Sequence, residues 1–175
     1  MGSLVASVTG EPPPEPHGWI DASGVGTEAA ALLKGGRSGV FVTAVMNNRV
    51  RACVGSIWAN TTSLAREVGH YGALVAARDL RRSPIEKREL SQIELAVSVV
   101  GRLERVARGD AWDPAGFGVF VRSGARTGVI LPGEALTHAK QLSWALQEAG
   151  IGLEEPYEAY RFQTVKFGAS LTIRN

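Results

Sequence analysis

The sequence predicts an α+β fold in which a largely antiparallel sheet of hairpins is covered by helices. Three observations lead there. Strand-like segments come in pairs joined by tight turns. Helix-like segments fall between those pairs without the regular strand-helix-strand alternation that a parallel sheet requires. The chain's 175 residues, 45 % hydrophobic and 21 % charged, suit one well-cored domain and neither a disordered nor a fibrous chain.

The first 18 residues hold Gly10, Pro12, Pro13, Pro14, Pro16 and Gly18, so they read as a flexible arm ahead of a domain at 19–175. Thr27 stands where it can cap a short helix that stops at Gly35 and Gly36. Val40 to Met46 and Arg49 to Ile57 form a hairpin about Asn47-Asn48, because asparagine tolerates positive φ. Residues 63–79 carry Leu64, Val68, Tyr71 and Val75 at steps of three and four, a helix with one apolar stripe, and Gly69 and Gly72 suggest close packing against a strand. Ile93 to Gly101 sets Ile93, Leu95, Val97 and Val99 against Glu94, Ala96 and Ser98, so one face enters the core. Val119 to Val121 and Val129 to Leu131 flank a turn at Ser123-Gly124-Ala125-Arg126. Thr137 caps a helix whose Leu142, Ala145, Leu146 and Ala149 face inward, with Gly150 as its stop, and Ala159 to Phe167 is the closing strand.

Composition narrows the function. Nineteen basic against seventeen acidic side chains leave a net charge of only +2, which does not suggest a nucleic-acid binder. No run nears the roughly 18 apolar residues of a membrane span. A single cysteine and an amino terminus without signal-peptide order point to the cytoplasm.

In the strand 49–57, Arg51, Cys53 and Gly55 share one face, and the glycine leaves room for a ligand. Arg51 would bind a substrate carboxylate or lower the pKa of Cys53; equally, Arg51 is a structural partner of a carboxylate and Cys53 a small buried hydrophobe. Glu94 and Ser98 share a face of their own strand, where a carboxylate could pair with Arg51 or face water. A carboxyl group in a semi-apolar pocket suits proton transfer, so Glu94, with Glu104 in reserve, is a candidate acid or base. His70 has Glu67 one turn away and is a weaker candidate general base. Trp58, directly after the Arg51 strand, could wall a pocket for a planar substrate. The three histidines, His17, His70 and His138, lack zinc-ligand spacing, and no cofactor is implied.

The segments G-V-F-V-T, R-A-C-V-G-S, S-L-A-R-E-V, P-I-E-K-R-E-L-S-Q-I-E-L-A-V-S-V, R-T-G-V-I-L-P and Y-R-F-Q-T-V-K-F, in unbroken order over roughly residues 37–167, resemble the AMMECR domain. That family is named after a human chromosomal-deletion region. The resemblance implies a mixed α+β domain with R-G-C-I-G as its signature. Here the signature glycine is Ala52, the acidic-Pro-Arg-Phe run is Asp79-Leu80-Arg81-Arg82, and the glutamine after L-L-P is Gly133. Members are often encoded beside a Memo-type protein and a radical enzyme. Some shorter actinobacterial relatives resemble Pictet-Spengler enzymes, which condense an aryl-ethylamine with an aldehyde. Two expectations follow. The first is a cofactor-independent enzyme taking amine and carbonyl substrates by acid-base catalysis, with no membrane or nucleic-acid partner and a homo-oligomer compatible with it. The second is a non-catalytic module that binds a partner protein or small effector on the same face.

Overall fold

The computed structural model describes residues 1–22, 26–79 and 81–169, apart from the side chains of His17, Trp19 and Ala22. Its helices are α1 (Gly2–Thr9), α2 (Pro16–Ala22), α3 (Thr27–Gly35), α4 (Leu64–Leu74) and α5 (His138–Ala149). Its strands are β1 (Val40–Met46), β2 (Arg49–Ser56), β3 (Ile93–Val106), β4 (Gly118–Ser123), β5 (Arg126–Ile130) and β6 (Glu158–Gly168). The strand order is β2-β1-β3-β6-β4-β5, and β1 pairs antiparallel with β2 and β3, as β4 does with β5 and β6. The α+β class with an antiparallel sheet is therefore as predicted. The chain divides into two compact units, one holding Met1–Val99 and the other Val100–Val165.

In the first unit, the Asn47-Asn48 turn forms with both residues at positive φ, 53° and 57°, the geometry whose twist matches a two-residue hairpin. Val40, Val42 and Ala44 of β1 join Ala52, Ile93, Leu64, Tyr71 and Val75 in one buried cluster, with Leu95, Val97 and Val99 packed against it. The period-two and period-3.6 stripes thus meet as their spacing requires. The other face of β1 is buried as well, at Phe41, Thr43 and Val45.

Four local expectations are corrected. The arm is not flexible throughout, since residues 2–9 form α1 and bury Leu4 and Ala6 completely or nearly so. The prolines end that helix's segment rather than preventing it, because they begin only at Pro12 and Gly10 closes the helix in the left-handed region. Gly26, not Thr27, is the N-cap of α3. The stripe through residues 63–79 ends as a helix at Leu74. Gly69 and Gly72 face Pro16 and Ser3, side chains of the amino-terminal segment, rather than a strand.

The second unit is knit around α5. Thr137 caps it by accepting from the backbone of Lys140, Gly150 ends it in the left-handed region, and Ala145, Leu146 and Ala149 face Val119, Val121 and Ile130. Gln141, fully buried, accepts from the indole of Trp112 at 2.7 Å and donates to the carbonyls of Phe117 and Leu131.

Candidate functional site

Strand β2 lies at the edge of the sheet, so half of its backbone polar groups need partners outside the ladder. Asp79 supplies one. Its Oδ2 accepts the amide of Cys53 at 3.0 Å, and Arg81 both grips the Asp79 carboxylate at 2.9 Å and donates to the Cys53 carbonyl at 3.5 Å. Burial pushes the Asp79 carboxyl up, but the bonds from Arg81 and Cys53 outweigh it and hold the group below its ordinary range. Leu80, between them, lies outside the described residues.

Arg51 is engaged in the same way. Its Nε and Nη2 meet the two oxygens of Glu89 at 2.6 and 3.0 Å, and Nη1 and Nη2 donate to the carbonyls of Ser83 and Pro84. This two-pronged bond raises the arginine's pKa and is the first cause lowering that of Glu89, which also accepts the amide of Glu86. The carboxylate partner of Arg51 is therefore Glu89, from the two-turn 3-10 helix Lys87–Gln92, and not Glu94. A periodicity reading could not find it, because the contact spans 38 residues across an irregular segment.

Cys53 is half-buried, and its Sγ accepts the hydroxyl of Thr43, its partner on β1, at 3.3 Å. The ligand space expected beside Gly55 is filled by Phe41. A Cβ there would lie 2.4 Å from the ring and 2.6 Å from the Phe41 Cα. Ser98, opposite Phe41 on β3, is 4 % exposed, so it does not face water. Glu104 is bonded to Arg161 at 2.9 Å within the second unit. His70 is exposed and meets Tyr71 edge-on, while Glu67 points away into the protein, 1 % exposed. Trp58 and Glu94 lie toward opposite ends of β1, since Val40 pairs with Ser56 and Val45 with Glu94, and Val40 and Val45 are roughly 17 Å apart along the strand. The predicted site residues therefore do not form one constellation.

One of them keeps a carboxylate at liberty. Glu94 is exposed, and among the described residues its carboxylate makes no hydrogen bond or ion pair. It lines an open groove of about 320 Å³ together with Val45, Asn47, Asn48, Ser91, Gln92 and Ile93. Buried Val45, the cross-strand partner of Glu94, gives the groove an apolar floor, the hairpin turn and the end of the 3-10 helix supply amide and hydroxyl groups, and of the lining residues Glu94 alone is charged. The volume falls at the lower end of small-molecule sites. Such a groove can hold an ammonium against the carboxylate and exchange a proton with it. Among the described residues no three His, Cys, Asp or Glu side chains are grouped to hold a metal ion, and no helix is long and apolar enough to cross a membrane.

The family model AMMECR1 matches residues 9–167. The chain belongs to the AMMECR1 family. Protein CA_C1420 of Clostridium acetobutylicum is 31 % identical over 132 residues, which are 74 % of this chain and 28 % of that protein. A Thermotoga maritima protein is 32 % identical over 135 residues, 75 % of this chain and 78 % of that one. The chain thus spans little more than a quarter of the Clostridium relative. The crystal structure of PH0010 from Pyrococcus horikoshii, described as an uncharacterized protein, aligns with a TM-score of 0.63 at 19 % identity, over 97 % of this chain and 91 % of that one. It shares the fold. Ala52, where the resemblance leads one to expect glycine, is a buried core residue, 2 % exposed.

Proposed function

We propose that this AMMECR1-family protein is an acid-base enzyme needing no resident cofactor, which condenses an aryl-ethylamine with an aldehyde in a Pictet-Spengler-type reaction. The observation that carries this reading is the unengaged carboxylate of Glu94 in its polar groove. The other acidic groups of the signature region, Asp79 and Glu89, are committed to Arg81, Cys53 and Arg51.

Glu94 takes a proton from the substrate ammonium, leaving a free amine. The amine adds to the aldehyde, and Glu94 returns its proton to the hydroxyl of the adduct, which leaves as water and gives the iminium. A ring carbon attacks that iminium carbon, forming the new carbon-carbon bond, and the Glu94 carboxylate, free again, takes the ring proton and restores aromaticity. One water is released and no electrons are exchanged. Holding amine and aldehyde together in one groove converts a bimolecular encounter into a local one. The test is incubation with tryptamine and a small aldehyde, followed by mass spectrometry. A product at the summed mass less one water that resists borohydride reduction, as the isomeric open imine does not, and that forms faster than without protein supports the reading; the uncatalysed rate contradicts it.

A second reading is a binding module. It is favoured by the engagement of Arg51, Asp79 and Glu89 with one another's segments, which makes the signature a structural clamp. Saturable binding of the amine with no product would support it.

A further inference from the structure

Glu67 is a carboxylate buried to 1 % exposure whose hydrogen-bond partners, among the described residues, all belong to the uncharged loop joining β2 to α4. The amide of Asn60 donates to both of its oxygens at 3.0 and 3.1 Å, the amide of Thr61 donates at 2.7 Å, and Asn60 Nδ2 adds a long bond of 3.5 Å. The neighbouring Arg66 reaches instead to Glu15. Glu67 lies in the first turn of α4, whose amide ends favour a negative charge there but carry no net charge of their own. Burying a carboxylate without a cationic partner is costly, and joining a strand to a helix does not require it.

What the carboxylate fixes is the loop that presents Trp58. The same Asn60 Nδ2 that reaches Glu67 donates to the Trp58 carbonyl at 3.1 Å and to the Tyr71 hydroxyl at 3.0 Å. The Trp58 amide donates to Ser56 Oγ at 3.1 Å. One side-chain amide thus ties the buried charge to the backbone of a tryptophan that is 56 % exposed. An indole face attracts cations through its quadrupole, and a buried carboxylate bonded only to neutral groups adds a negative field that water screens poorly.

We propose that Trp58 and the Glu67-braced loop form a binding site for a small organic ammonium ion, separate from the Glu94 groove and independent of the reaction assigned to that groove. Trp58 supplies the contact surface; Glu67 holds the loop and contributes its charge.

The experiment is a titration of the full-length protein with tetramethylammonium, and in parallel with the neutral isostere 3,3-dimethyl-1-butanol. The indole N–H resonance of Trp58 is followed by NMR and assigned by its loss in Trp58→Phe. Saturable shifts of that resonance with the cation, and weaker ones with the alcohol, are expected. Because Trp58 is exposed, Trp58→Ala folds, and with the shifts of the loop amides Asn60 and Thr61 as readout it lowers cation affinity by about two- to fivefold. Glu67→Gln, where it folds, lowers cation affinity while leaving alcohol binding unchanged. Equal response to cation and alcohol, or full cation affinity in Trp58→Ala, overturns the proposal.

Discussion

The guanidinium of Arg51 and the carboxylate of Glu89 meet in a two-pronged ion pair, 2.6 and 3.0 Å, with both side chains less than a fifth exposed. Through it the edge strand is bound to residues 83–89, since the same guanidinium also donates to the carbonyls of Ser83 and Pro84. Lysine carries the charge but not the fork. Arg51→Lys and Glu89→Gln should each cost about 2 kcal/mol, lowering the melting temperature by about 4–8 °C. A melting temperature unchanged in both variants would show that the pair holds nothing.

Three carboxylates, Glu67, Asp79 and Glu89, are held below their ordinary values of 4.5, 3.8 and 4.5. At Glu67, burial pushes the pKa up and the bonds from Asn60 and Thr61 more than offset it. A group whose folded pKa is depressed stabilises the fold fully above its unfolded pKa, and that contribution is lost as pH falls through the folded value. The melting temperature should therefore be level from neutral pH to about pH 5.5 and fall on further acidification. Glu67→Gln should melt lower at neutral pH and show a shallower acid limb, so the two curves converge at low pH. Parallel curves would mean that Glu67 is not the source.

Gly55 is a glycine with a steric reason. A methyl group there would lie 2.4 Å from the Val40 carbonyl oxygen as well as from the Phe41 ring, so backbone must shift. Gly55→Ala should cost about 3 kcal/mol or more, read by thermal or urea unfolding. Wild-type stability would contradict the contact.

The antiparallel class, the Asn47-Asn48 turn, the Thr137 cap and the inward face of α5 were legible in the sequence because each rests on local chemistry or on a period. The partners of Arg51 and Cys53 were not, because Glu89 and Asp79 arrive from irregular segments 38 and 26 residues away. Glu67 stands one turn from His70 in the sequence but is buried while His70 is exposed. Helical spacing places two residues on one face, but the loop at Asn60 and Thr61 decides which of them is covered. Helix α1 was missed because the density of prolines after Gly10 masked the proline-free run before it. Of the two places the sequence leaves open for Glu94, beside Arg51 or facing water, the structure shows the second, which is why its carboxylate is available.

Cys53 accepts the hydroxyl of Thr43, a residue only 4 % exposed. Cys53→Ala removes that acceptor and should cost about 1 kcal/mol of stability. Turnover of amine and aldehyde should be unchanged, because acid-base condensation needs no thiolate. A loss beyond roughly a hundredfold with the fold intact, about 2.7 kcal/mol of barrier, would make the thiol a nucleophile.

The central claim is that the free carboxylate of Glu94 carries the proton transfers, and Glu94→Gln tests it most directly. Glutamine keeps the shape of the side chain and removes the ionisable proton. Since Glu94 is exposed and unpaired among the described residues, the melting temperature should not move. The rate of condensation of tryptamine with an aldehyde should fall by about a hundred to ten thousand times. Wild-type turnover in a fully folded Glu94→Gln protein would contradict the claim.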